Sequence, residues 1–120
     1  IILCLIDQTP IMTITNKGNQ LRKLKKYDDA IDCWNSALEI NPKYYRPQYL
    51  KILTYTELKK YNNAEELAIK VLTQHPDEIE ATTELLVELY EKTEETSKQK
   101  EYEKKLQELR DLKNNKTDGV

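Results

Sequence analysis

Two heptapeptides decide how this chain is read: Leu24-Lys25-Lys26-Tyr27-Asp28-Asp29-Ala30 and Leu58-Lys59-Lys60-Tyr61-Asn62-Asn63-Ala64. Tyr27 and Tyr61 stand 34 residues apart, and the same step carries Leu21 onto Tyr55, Ala37 onto Val71, Leu38 onto Leu72 and Pro42 onto Pro76. A period held across a whole unit marks a repeat of supersecondary structure, not one recurring turn.

Each unit reads as two helices. Thr9 suits an N-cap and Pro10 a first helical position, where a missing amide proton costs nothing; Ile14, Gly18 and Leu21 then recur at helical spacing to about Leu24. After a Lys25-Lys26 turn, Asp28 and Asp29 match the positive end of a new helix dipole. Ala30, Trp34, Ala37 and Leu38 form the apolar stripe of that second helix. Asn41-Pro42 ends it, because a proline ring disfavours helical backbone at the residue before it. One repeat on, Ile52, Tyr55, Tyr61, Ala64, Ala68, Val71 and Leu72 follow the same plan, closed by His75-Pro76.

On these residues the chain resembles the tetratricopeptide repeat family. Gly18, Leu21, Tyr27, Ala30, Trp34, Ala37 and Pro42 stand where that family places its small residue, aromatics, alanines and proline, and Ile52, Tyr55, Tyr61, Ala64, Ala68, Val71 and Pro76 repeat the series. Ile52 departs from it at a position that is usually small. The resemblance implies an all-α fold: a right-handed superhelical solenoid of antiparallel helix pairs, about 2.5 to 3 repeats, with a charged C-terminal capping helix. Residues 11–44 are then the first repeat and 45–78 the second, and 1–10 are the end of a preceding segment or a partial N-terminus.

Residues 79–113 read as a degenerate third repeat and capping helix. Ala81, Leu85, Leu86, Leu89 and Tyr90 give a helical stripe, but Glu95 stands where the next tyrosine is due. If Tyr102 takes that place, the turn is longer by about seven residues, Ser97 caps the following helix, and Leu106, Leu109 and Leu112 form its face. Residues 114–120 read as a disordered tail.

Composition narrows the function. Over 120 residues a formal net charge of −2 supplies no overall basic field for nucleic acid, and the apolar run Ile1 to Ile6 is far short of a membrane span, so neither nucleic acid nor membrane insertion is expected. Cys4 and Cys33 lack zinc-ligand spacing and fit a reducing compartment such as the cytoplasm. One histidine, His75, in a turn, two isolated cysteines and no glycine-rich loop assemble no catalytic group, metal site or cofactor site, and no enzyme is expected.

What remains is protein–protein interaction, as a scaffold, an adaptor or a subunit of a multi-protein complex. In the family the first helix of each repeat lines a concave groove that receives a peptide. Mapped residue by residue, the resemblance assigns Asn19, Arg22, Lys23, Tyr49, Leu53, Val87 and Tyr90 to that partner-binding groove. The alternative is a co-chaperone that grips the acidic C-terminal tail of a heat-shock protein. Of the clamp residues such members carry, only Asn19 is matched; Thr15, Leu50, Thr83 and Val87 take the places of the others.

Overall fold

The structure, a computed structural model, describes residues 9–118. Among them are six α-helices and one short 3-10 turn, with no strand. The helices are α1 (Thr9–Lys23), α2 (Tyr27–Ile40), α3 (Tyr45–Glu57), α4 (Tyr61–Gln74), α5 (Ile79–Lys92) and α6 (Thr96–Asp118). The fold is all-α, as the repeat demands. Contacts divide the chain into two compact units, Ile1–Thr54 and Tyr55–Val120.

The first unit is built on one close approach. Trp34 of α2 is fully buried, and its indole Nε1 donates to the Thr15 carbonyl of α1 at 3.0 Å. Gly18 makes room for it: a β-carbon there would lie 2.5 Å from that nitrogen. Ala30, Trp34 and Leu50 form the core cluster, with Leu21, Ile31, Tyr49 and Leu53 packed against it. Asn41 takes extended backbone before Pro42, and its N–H returns to the Ala37 carbonyl, so α2 stops where the proline dictates. The Asn41 side chain then accepts from the Lys43 N–H at 3.1 Å, closing the turn into α3.

In the second unit α4 packs on α5 and α5 on α6. Ala64, Ala68 and Val71 of α4, with Leu85, Leu86, Leu89 and Tyr90 of α5 and Leu106 of α6, are its buried hydrophobic side chains, and Thr82 and Thr83 of α5 are buried beside them. His75 ends α4 before Pro76, its N–H bonded to the Val71 carbonyl at 2.9 Å, as Asn41 ends α2. Ile52 and Ala68, one repeat on from Gly18 and Trp34, are both fully buried. The sizes at these two positions are therefore inverted between repeats.

The turn within each helix pair is the same object three times. Lys25, Lys59 and Glu94 are the positive-φ non-glycine residues among those described, at φ of 63°, 62° and 59°. Around each, two backbone bonds close a Schellman motif: Lys26 to Leu21 and Lys25 to Arg22, Lys60 to Tyr55 and Lys59 to Thr56, Glu95 to Tyr90 and Glu94 to Glu91.

This overturns the reading of the third unit as one with a lengthened turn. The helix after it begins at Thr96, not near Tyr102, so the turn has ordinary length, Ser97 falls inside the first helical turn, and Tyr102 lies well within α6. The backbone motif fixes the register without the expected tyrosine. A second correction concerns the end: α6 runs on through Asp118, so most of the expected tail is helical. Thr9 and Pro10, read as the start of the first helix though placed outside the first repeat, belong to α1, while the expectation for Ile1 to Ile6 lies outside the described residues.

Candidate protein-interaction surface

The last turn of α1 carries Asn19, Arg22 and Lys23. Asn19 Oδ1 accepts from both Nε and Nη2 of Arg22, each at 3.2 Å, which fixes the guanidinium at the helix surface. A rotamer already restrained loses less entropy when a carboxylate docks on it, and the planar fork suits bidentate recognition. Lys23 is exposed one residue on. Both cations sit at the negative end of the α1 dipole, which favours them there.

On α3, Tyr49 and Leu53 are half-buried, and Tyr49 stacks obliquely on Tyr45 with ring centroids 5.8 Å apart. Leu21 of α1 and Tyr49 and Leu53 of α3 all pack against the Ala30, Trp34 and Leu50 cluster. Neither α1 nor the part of α3 up to Thr54 contains an acid, while Lys17, Arg22, Lys23, Arg46 and Lys51 lie on them. Among the described residues of this unit the acids, Asp28, Asp29, Asp32 and Glu39, all lie on α2. Basic residues therefore outnumber acids on these two stretches.

Not every position facing the groove by pattern is available. Thr15 is fully buried and its hydroxyl donates to the Ile11 carbonyl at 2.6 Å; Leu50 lies in the core and Thr83 is buried. In the second unit Val87 is half-exposed. Tyr90, expected on the same surface, is only 2% exposed and offers a partner almost nothing. Its ring lies 5.4 Å from that of Tyr102, with Lys98 Nζ 5.5 Å from its centroid. Because α6 starts early, these two residues come down on Tyr90 and cover it. Burial raises the phenol's pKa above the ordinary tyrosine range, and a hydrogen bond to Glu65 adds to the effect.

Two acids of α5, Glu80 and Glu84, are engaged internally. Arg110 Nε bonds Glu80 at 3.2 Å, its Nη2 bonds Glu84, and Lys113 lies 3.8 Å from Glu80. The hydrogen bond to Glu80 is the main cause that raises the Arg110 pKa. Each such exposed pair contributes little alone, but together they direct α5's carboxylates toward α6. Sequence spacing gave no sign of these pairs, since Arg110 stands far along the chain from both acids.

Among the described residues no cluster of three His, Cys, Asp or Glu side chains is placed to hold a metal, and no helix is long and apolar enough to cross a membrane. Cys33 is a half-buried free thiol.

With this geometry in place, comparison with known proteins settles the type of unit. The family model of the tetratricopeptide repeat matches residues 13–44. The chain carries a tetratricopeptide repeat. That repeat comprises most of α1, all of α2 and the turn into α3, including the Gly18–Trp34 approach and the first Schellman turn. The tetratricopeptide repeat is a protein-interaction fold, so binding of other proteins is the activity its presence indicates. The chain is also similar to the Hsp70-Hsp90 organising protein of Plasmodium falciparum (isolate 3D7), with 36% identity over 53 residues. That stretch is 44% of this chain and 9% of the relative's length.

Proposed function

We propose that this chain is a protein-interaction scaffold or adaptor, a subunit of a larger assembly in a reducing compartment such as the cytoplasm, with no catalytic role of its own. The surface formed by Asn19, Arg22, Lys23, Tyr49 and Leu53 in the first unit receives a partner segment. The observation that carries this reading is the Asn19-restrained Arg22 beside the acid-free faces of α1 and α3. The chemistry it fits is a segment with acidic side chains flanking one or two apolar anchors. Capture from native extract by wild type, Arg22→Glu and Lys23→Glu tests it: the variants lose the partner, and the loss narrows at high salt as charge steering is screened.

A second reading, a heat-shock-protein co-chaperone that holds an acidic C-terminal tail, has the likeness to the organising protein in its favour. Against it, Thr15 and Leu50, which occupy two clamp positions, are buried, and Thr15 spends its hydroxyl on its own helix. An acidic tail peptide with a free or an amidated C-terminus distinguishes the two: a clamp distinguishes them strongly, whereas the proposed surface binds them about equally.

A further inference from the structure

α6 is far longer than the helix it packs on: 23 residues against 14 in α5. At 1.5 Å per residue it is longer by about 13 Å. Its buried contact is Leu106, and it forms ion pairs with α4 through Lys98 and with α5 through Arg110 and Lys113. A different side is left open. There Leu109 and Leu112, with Leu72 and Ile79 of the preceding elements, line an apolar cleft of about 300 Å³. Lys105 and Glu108 stand on its rim, and Leu112 is 66% exposed. Tyr102, also in the lining, carries the Lys105 ammonium 4.4 Å from its ring centroid.

We propose that this face of α6 pairs with the same face of a second copy of the chain, antiparallel, about a two-fold axis that crosses α6 between Lys105 and Leu109. The argument is self-complementarity. On one helix face the order is Tyr102, Lys105, Glu108, Leu109, Leu112. Reversed and laid against itself, that order sets Lys105 beside the second copy's Glu108, and Leu112 beside its Tyr102, at both ends of the contact. A two-fold interface requires this reciprocity, in which each residue meets its counterpart's complement. An unrelated helix has no reason to match opposite charges placed in this order around an apolar centre. The existing Lys105–Glu101 pair, 3.3 Å long, is exposed on the same helix and yields readily to a neighbour of the same charge type. The pairing is independent of the surface on α1 and α3.

Sedimentation of the full chain across a concentration series tests the pairing. The result expected is a reversible rise in apparent mass to twice the 14.2 kDa of one chain. Leu112→Asp abolishes the rise while circular dichroism stays helical. Lys105→Glu and Glu108→Lys are each monomeric alone, because each sets like charges opposite one another. Mixed in equal amounts they form a dimer again, since one then presents two acids and the other two bases. A wild-type chain that stays monomeric, single reversals that still dimerise, or a mixture that fails to assemble each overturns the proposal.

Discussion

Trp34 occupies the space that Gly18 leaves empty: the indole nitrogen bonded to the Thr15 carbonyl stands 2.5 Å from where a β-carbon on Gly18 would be. The two residues act as one feature, an aromatic wedge and the gap that admits it. A methyl group at residue 18 displaces a fully buried ring that has no free volume to retreat into.

Gly18→Ala is therefore expected to destabilise the chain. Overpacking of this kind costs about 1–3 kcal/mol, and the better helix propensity of alanine returns about 1 kcal/mol at most. A lowered urea midpoint checks it. Stability equal to or above wild type would mean that the ring is not seated against α1 as described.

Lys25, Lys59 and Glu94 hold left-handed backbone with a side chain present, at a cost of roughly 1 kcal/mol each that glycine avoids. Each of Lys25→Gly, Lys59→Gly and Glu94→Gly should raise stability by up to about that amount. Lys26→Gly, at a residue with φ of −91°, should lower it instead. Glu94→Gly is the informative member, because it tests the third turn directly: a loss of stability there would return the register to one with a longer turn.

Enlarging Ala30 or Ala64, both fully buried, to leucine should destabilise by roughly 1–3 kcal/mol, read as a lower melting temperature. Two unchanged melting temperatures would show that the repeat register is misassigned.

Tyr90 supplies a pH signature. Its ordinary pKa is 10.0, and burial together with the Glu65 hydrogen bond raises it in the fold. A raised pKa means that the neutral phenol is the form the fold favours. Its contribution is fully present below pH 10 and is lost as pH climbs toward the raised value. Lys98, raised through its bond to Glu65, acts in the same direction. Stability should thus fall above pH 10, and less steeply in Tyr90→Phe, in denaturation curves measured at a series of pH values.

The first two helix pairs were legible because local chemistry and tertiary role coincide in them. Pro42 and Pro76 end helices by backbone sterics alone, and the Tyr27–Tyr61 spacing marks helix starts by a visible residue type. The third pair was misread because its start carries Glu95 and Thr96 instead of a tyrosine, while the true marker, left-handed backbone at Glu94, leaves no trace in composition. Tyr90 followed from that error: its burial depends on Lys98 and Tyr102, whose positions are set by where α6 begins. Residues 114–120 read as a tail because Val120 is their one apolar residue, yet the modest propensity cost of Asn114 and Asn115, a few tenths of a kcal/mol each, is outweighed once a long helix has already been nucleated. On α1 and α3 the basic and apolar residues were visible, but the Asn19–Arg22 bond and the loss of Thr15 and Leu50 to the interior required coordinates.

Truncation of Tyr49 or Leu53 to alanine should weaken partner binding by at least about 1 kcal/mol, since large apolar groups usually dominate an interface. Both also pack against the core cluster, so their effect on binding is read beside the melting temperature of each variant. Asn19→Ala offers a milder comparison. It releases Arg22 without removing charge and should weaken binding less than Arg22→Glu.

The central claim is that partners meet the faces of α1 and α3, and amine-reactive crosslinking in native extract followed by mass spectrometry tests it most directly. Lys17, Lys23 and Lys51 lie on those helices, while Lys100, Lys104 and Lys113 lie on the exposed parts of α6. The account predicts that crosslinks to other proteins concentrate on the first set and disappear in Arg22→Glu. Partner crosslinks confined to the α6 lysines, and unchanged in Arg22→Glu, would contradict it.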